Sequence, residues 1–112
     1  MSENDKLNIL SILESIDKIF RYSANYGSAD DFHKNEKEFD ASMMNFIIIG
    51  EMVSRFSDLF IEENNQIDWF KIKGFRNIIA HDYFIIDAEE VWQIIKKHLP
   101  QLKSDLHDIL EK

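Results

Sequence analysis

The run Met43-Met-Asn-Phe-Ile-Ile-Ile-Gly-Glu-Met-Val53 decides the fold, because two apolar stripes overlap in it at helical spacing. Met43, Phe46, Ile47, Gly50 and Val53 form one stripe; Met44, Ile48, Met52, Phe56 and Leu59 run beside it. A helix starting near Lys37 and greasy around most of its circumference must be central. Either other helices enclose it or one side is buried against a second copy of the chain, because large apolar surfaces are seldom left wet. In a domain this small the spacing predicts a homodimer. Gly50 costs such a helix about 1 kcal/mol relative to Ala, and close approach of another backbone is the usual compensation. Glu51 beside it reads equally well as a solvated residue or a functional one.

On either side of this run the chain keeps helical periods. Ile9, Leu13, Ile16 and Phe20 share one face of a first helix over about residues 4–22. Ser28 with Asp31 three residues later is a capping-box pattern for a short helix through about Lys34. Glu62 to Gln66 breaks the apolar pattern and reads as a loop, after which Asp68 or a neighbour caps a helix from Trp69 to about His81. Asp87-Ala-Glu-Glu90 opens a last helix with Val91, Ile95, Leu99, Leu102, Leu106 and Ile109 on its buried side, and Pro100 should kink or split it. With only three Gly and one Pro in 112 residues, a many-stranded sheet is excluded and an all-α bundle is expected.

The counts agree with one domain spanning 1–112: 45% of the residues are apolar, too many for a disordered acidic tail, and a chain of this length supports a single core. Thirteen basic against 21 acidic side chains give a formal charge of −8, which excludes a generally basic nucleic-acid surface and leaves room only for a local patch. That patch exists. From Gln66 to Ile86, Lys71, Lys73 and Arg76 outnumber Asp68 and Asp82, a net +1, while the rest carries 10 basic against 19 acidic, a net −9. The absence of Cys removes disulfides, thiolate metal sites and cysteine nucleophiles, and fits a reducing, cytoplasmic compartment. The polar N-terminus and the short apolar runs predict neither export nor a membrane span.

The fourth helix carries the chemistry. At about 100° per residue with Arg76 at zero, Ile72, Phe75, Ile78 and Ile79 fall on an arc centred near about 260°, while Asn77 and His81 stack at about 100° and 140° on the far side. Gly74 adds no side chain there, so that face is open to something large. Asp82 would turn back toward the core, which predicts that the helix ends near His81 and that Tyr83 and Phe84 lie in the following turn. His33, His98 and His107 read as ordinary surface or core imidazoles. His81 differs because Arg76, Asn77 and Tyr83 accompany it. A cation neutralises phosphate, an imidazole moves protons near neutral pH, and an amide orients, although a merely solvated face would hold the same residues.

The run Arg76-Asn-Ile-Ile-Ala-His81-Asp-Tyr83 matches an R-x4-H-x-Y signature, and the chain resembles the HepT-like branch of the HEPN superfamily. Ile49-Gly50-Glu51 looks like that family's G-E-A element, with Met52 in place of Ala. Ile67-Asp-Trp69, Asp82-Tyr-Phe84, Val91-Trp92 and Leu99-Pro100 resemble its other landmarks, so the likeness runs from Met44 to Leu102. It implies a HEPN-type up-and-down bundle of four to five helices, with a short extra helix and a C-terminal helix kinked at Pro100. It also implies a homodimer in which Arg76 and His81 of both subunits share one cleft. Members are toxins of type VII two-gene toxin–antitoxin modules, metal-independent endoribonucleases without a cofactor, whose partner is a minimal nucleotidyltransferase of the MntA kind. Carried over, His81 is the general acid or base, Arg76 stabilises the transition state, Asn77 orients, and Tyr83 accepts AMP from the partner. Glu51, Lys73 and Asp82 are candidate supporting residues. The expected ligand is RNA, with no DNA and no membrane. The alternative in a different class is a non-catalytic nucleotide- or substrate-binding subunit of a two-component nucleotidyltransferase.

Overall fold

A computed structural model describes residues 1–112, and every regular element in it is helical. α1 spans Glu3–Ser23, α2 Ala29–Lys34, α3 Glu36–Ser54, α4 Asp58–Glu63 and α5 Trp69–His81. A single 3-10 turn, Tyr83–Ile85, leads to α6 (Ala88–Gln93), a wide π turn (Ile94–His98) and α7 (Leu99–Leu110). The local signals for helix starts hold: the side chains of Ser28, Asp68 and Asp87 each accept a backbone N–H from the first turn of α2, α5 and α6.

α3 is the central helix, with α1 on one side and α5 on another; α7 closes against α1, and α2 packs on α3 and α6. The first stripe is inside as expected, with Met43, Phe46, Gly50 and Val53 buried and Ile47 half-buried. The second is covered less well: Ile48 and Met52 are half-buried, and Met44 is 57% exposed. Phe56 and Leu59 do not continue it, because α3 stops at Ser54. Phe56 instead stacks on Phe60 at 4.1 Å between ring centres and meets Trp69.

Two expectations need correction here. The stretch read as a loop from Glu62 begins inside α4, a six-residue helix capped by Ser57. Its anchor is distant in sequence: Asp5 on α1 accepts the Ser57 N–H at 2.9 Å and its hydroxyl at 2.7 Å. The arc of α5 is also not all core. Ile79 is buried and Ile72 and Phe75 are half-buried, but Ile78 is 45% exposed. The reason is that α5 leans mainly on α3, leaving a groove of about 780 Å³ between it and the C-terminal helix, lined by Phe70, Ile78, Ile94 and Leu102 among others.

Pro100 splits the last helix in a specific way. The Leu99 N–H reaches back to the Ile94 carbonyl, one residue further than in an α-helix, so the turn widens just before the proline, whose ring would otherwise press on the preceding turn. No helix is long and apolar enough to cross a membrane.

The buried Asp5 gives a stability test. Burial opposes its charge, but the amide and hydroxyl of Ser57, the Ser2 hydroxyl and the N-terminal ammonium outweigh that and hold the carboxyl below its ordinary value. Asp5→Ala strands both Ser57 donors and should cost about 2 kcal/mol in chemical denaturation. A folded-state pKa that is depressed contributes stability fully present above the unfolded value and lost as pH falls through the folded one. Asp5→Asn should therefore flatten the acid limb of the stability curve below about pH 4; an unchanged acid limb would remove Asp5 from this role.

Candidate active site

Arg76 is placed by Gly50. Any Cβ at position 50 would overlap Arg76 Cβ and stand 2.5 Å from its Cγ, so the bare glycine is what lets the arginine stem cross α3. Gly50 has no unusual backbone angle; the close approach alone explains it. The next residue completes the arrangement, since Glu51 takes Arg76 Nη1 at 2.8 Å. Arg76 is thus half-buried with its charge partnered, while its Nε is buried without a hydrogen-bond partner. A guanidinium has five N–H donors, so the pair with Glu51 leaves others for an incoming anion.

Lys73, Asn77 and His81 follow one another at one-turn spacing and are all exposed. Gly74 has open space where a side chain would be. α5 ends at His81 as expected, and Asp82 caps its end with an exposed side chain, turned away from the core the continued helix would have given it. From its middle to its end α5 offers one free cation, one partly sheltered cation, an amide and an open imidazole, the kinds of group needed to hold a phosphate and move a proton.

Tyr83 lies in the turn after the helix, and its ring rests half-buried against the core. Its hydroxyl donates to Asp40 Oδ1 on α3. Burial first, then the Asp40 hydrogen bond and the charges of Asp40 and Glu36, push the phenol far above its ordinary value of 10, so it is a neutral donor at physiological pH. Asp40 was not legible as a site residue, being 43 positions from Tyr83 in a stretch with no motif of its own.

A sequence profile of the family described as Ribonuclease HepT-like matches residues 12–109. Among curated relatives, a protein of Methanocaldococcus jannaschii named as a gamma-glutamylcyclotransferase and candidate RNase is 32% identical over the whole chain; the chain spans 50% of that protein's length. A candidate RNase of Caldanaerobacter subterraneus subsp. tengcongensis is 32% identical over 76% of the chain and 76% of its own length. Another from M. jannaschii is 30% identical over 95% of the chain and 97% of its own length. No solved structure matches the chain.

Proposed function

The chain belongs to the HepT-like ribonuclease family, and on that premise we propose that it is an endoribonuclease, the toxin of a type VII toxin–antitoxin module acting in the cytoplasm. The observation that carries this reading is the joint placement of Arg76 and His81: the glycine and glutamate of α3 fix the arginine, and the imidazole stands free at the end of the same helix.

In this reading the ribose 2′-oxygen attacks the adjacent phosphorus while the bond from phosphorus to the 5′-oxygen breaks. His81 accepts the 2′-hydroxyl proton or donates one to the leaving 5′-oxygen, water making the other transfer, so that the products are a 2′,3′-cyclic phosphate and a free 5′-hydroxyl. Arg76 neutralises the charge that builds on the phosphoryl oxygens, Asn77 orients them, and Lys73 adds attraction from the same face. Glu51 aims the guanidinium. No metal or cofactor has a part. RNA on so acidic a chain would be confined to this patch, as the local charge balance requires.

The active form is a homodimer with a shared cleft. Exposed apolar side chains support a second copy as the occupant of this side: Ile78 and the 84% exposed Phe70 line the open groove, and Phe84 and Ile85 follow the motif. The partner that silences the toxin is a minimal nucleotidyltransferase that transfers AMP to Tyr83. Co-expression with such an enzyme should add the mass of one or more AMP units to the intact chain, and Tyr83→Phe should carry none; unmodified wild type would remove this part of the proposal.

The deciding experiment is incubation of the purified protein with RNA in EDTA. Cleavage is expected. A wild type as inert as His81→Ala at high concentration would end the ribonuclease reading, and retained nucleotide binding would then favour the non-catalytic subunit.

A further inference from the structure

His81 is the last residue of α5 and makes no side-chain hydrogen bond. Its position therefore depends on how firmly the helix end is held. The backbone bonds of the next residues are all local: Asp82 N–H to the Ile78 carbonyl at 2.8 Å, Ile85 N–H to Asp82 at 3.0 Å and Ile86 N–H to Tyr83 at 3.3 Å. None reaches another element. Phe84 is fully exposed and Ile85 about three-quarters exposed. Helix ends fray unless something ties them down. Tyr83, two residues beyond His81, spans that gap, with its ring on the core and its hydroxyl on Asp40 near the start of α3.

We propose that Asp40 is a positioning residue for the cleavage reaction, acting on His81 through the Tyr83 hydroxyl. The inference rests on the ribonuclease reading of Arg76 and His81. Asp40 touches no substrate in it. It accepts the Tyr83 proton donor, fixes the turn, and so holds the end of α5 against α3, the helix that also fixes Arg76 through Gly50 and Glu51. Both reacting groups are then referred to a single helix. The tie also has a chemical weakness: a phosphodiester on the Tyr83 oxygen has no proton to donate and would face the carboxylates of Asp40 and Glu36. AMP transfer would thus release the turn as well as obstruct the cleft.

The test measures steady-state RNA cleavage by Asp40→Ala, Asp40→Asn, Tyr83→Phe and the Asp40→Ala/Tyr83→Phe double variant. Asp40→Ala and Tyr83→Phe should each lower kcat about tenfold with KM nearly unchanged, because a misplaced group loses rate more than binding. The double variant should be no worse than either single one, since both break the same tie. Asp40→Asn keeps an acceptor oxygen and should recover most of the rate. A wild-type rate in Asp40→Ala, losses that multiply in the double variant, or Asp40→Asn as slow as Asp40→Ala would each overturn the proposal. If wild type cleaves no RNA, the ribonuclease reading falls by itself and the tie is judged by amide hydrogen exchange. Exchange at the bonded amides of Asp82, Ile85 and Ile86 should then be about tenfold faster in Asp40→Ala and Tyr83→Phe, with α1 unaffected; equal exchange in all three proteins overturns it.

Discussion

His81→Ala should lower RNA cleavage by about three orders of magnitude while leaving the fold intact, because general acid–base catalysis by one side chain is worth about 10² to 10⁴. The imidazole is exposed and packs against nothing in the core, so its removal opens no cavity. Arg76→Ala should lose about 10² to 10³ through the phosphoryl charge it no longer neutralises. Because the two act in one step, the double variant should fall well short of the product of the single losses. Thermal unfolding separates them: His81→Ala should melt with wild type, whereas Arg76→Ala leaves Glu51 without its cation. The same samples should scatter light as twice 13.3 kDa at micromolar concentration if the cleft is shared. Two variants that cleave at the wild-type rate would remove both residues from the chemistry, and a strict monomer would remove the shared cleft.

Gly50→Ala should destabilise the protein although alanine is the better helix former. Propensity alone predicts a gain of about 1 kcal/mol. Against it stands the overlap of the new methyl with Arg76 Cβ and Cγ, which belong to the fixed base of the side chain and cannot swing aside as a flexible tip would. Overpacking of this kind costs about 1 to 3 kcal/mol and sometimes more, and relieving it means moving α5 off α3. The expected net effect is a loss of about 1 kcal/mol, and cleavage should fall as well because Arg76 moves with the helix. Arg76→Gly in the Gly50→Ala background should recover stability without recovering cleavage, which isolates the contact in a double-mutant cycle. Gly50→Ala melting above wild type would show that the two helices have slack.

What could be read in the sequence was what neighbouring residues decide. Asp68 and Asp87 mark their helix starts because a cap needs only the next three residues, and α5 ends at His81 because Asp82 has no place on the apolar arc. Gly50 announced a close approach, but of another backbone, whereas the stem of the Arg76 side chain is what fills the space. The contacts that cross the bundle gave no such sign. Asp5 reaches Ser57 over 52 positions and so anchors a helix of six residues too short to show a period. Asp40 reaches Tyr83 over 43. Ile78 illustrates a different limit: angular position tells which side of α5 it occupies, and only the placement of α7 tells that this side is left open.

The wide turn ahead of Pro100 amounts to one residue spliced into an otherwise continuous helix, and a splice changes phase. Beyond it every side chain is rotated by about 100° from where an unbroken α-helix would put it. The two halves can therefore obey different neighbours: α6 packs on α2, with Trp92 5.8 Å from Phe32 between ring centres, while α7 packs on α1. The phase change falls at Ile94 to His98, on the wall of the open groove. The C-terminal arm thus behaves as two independently keyed pieces, with the joint between them facing the side left uncovered in the single chain.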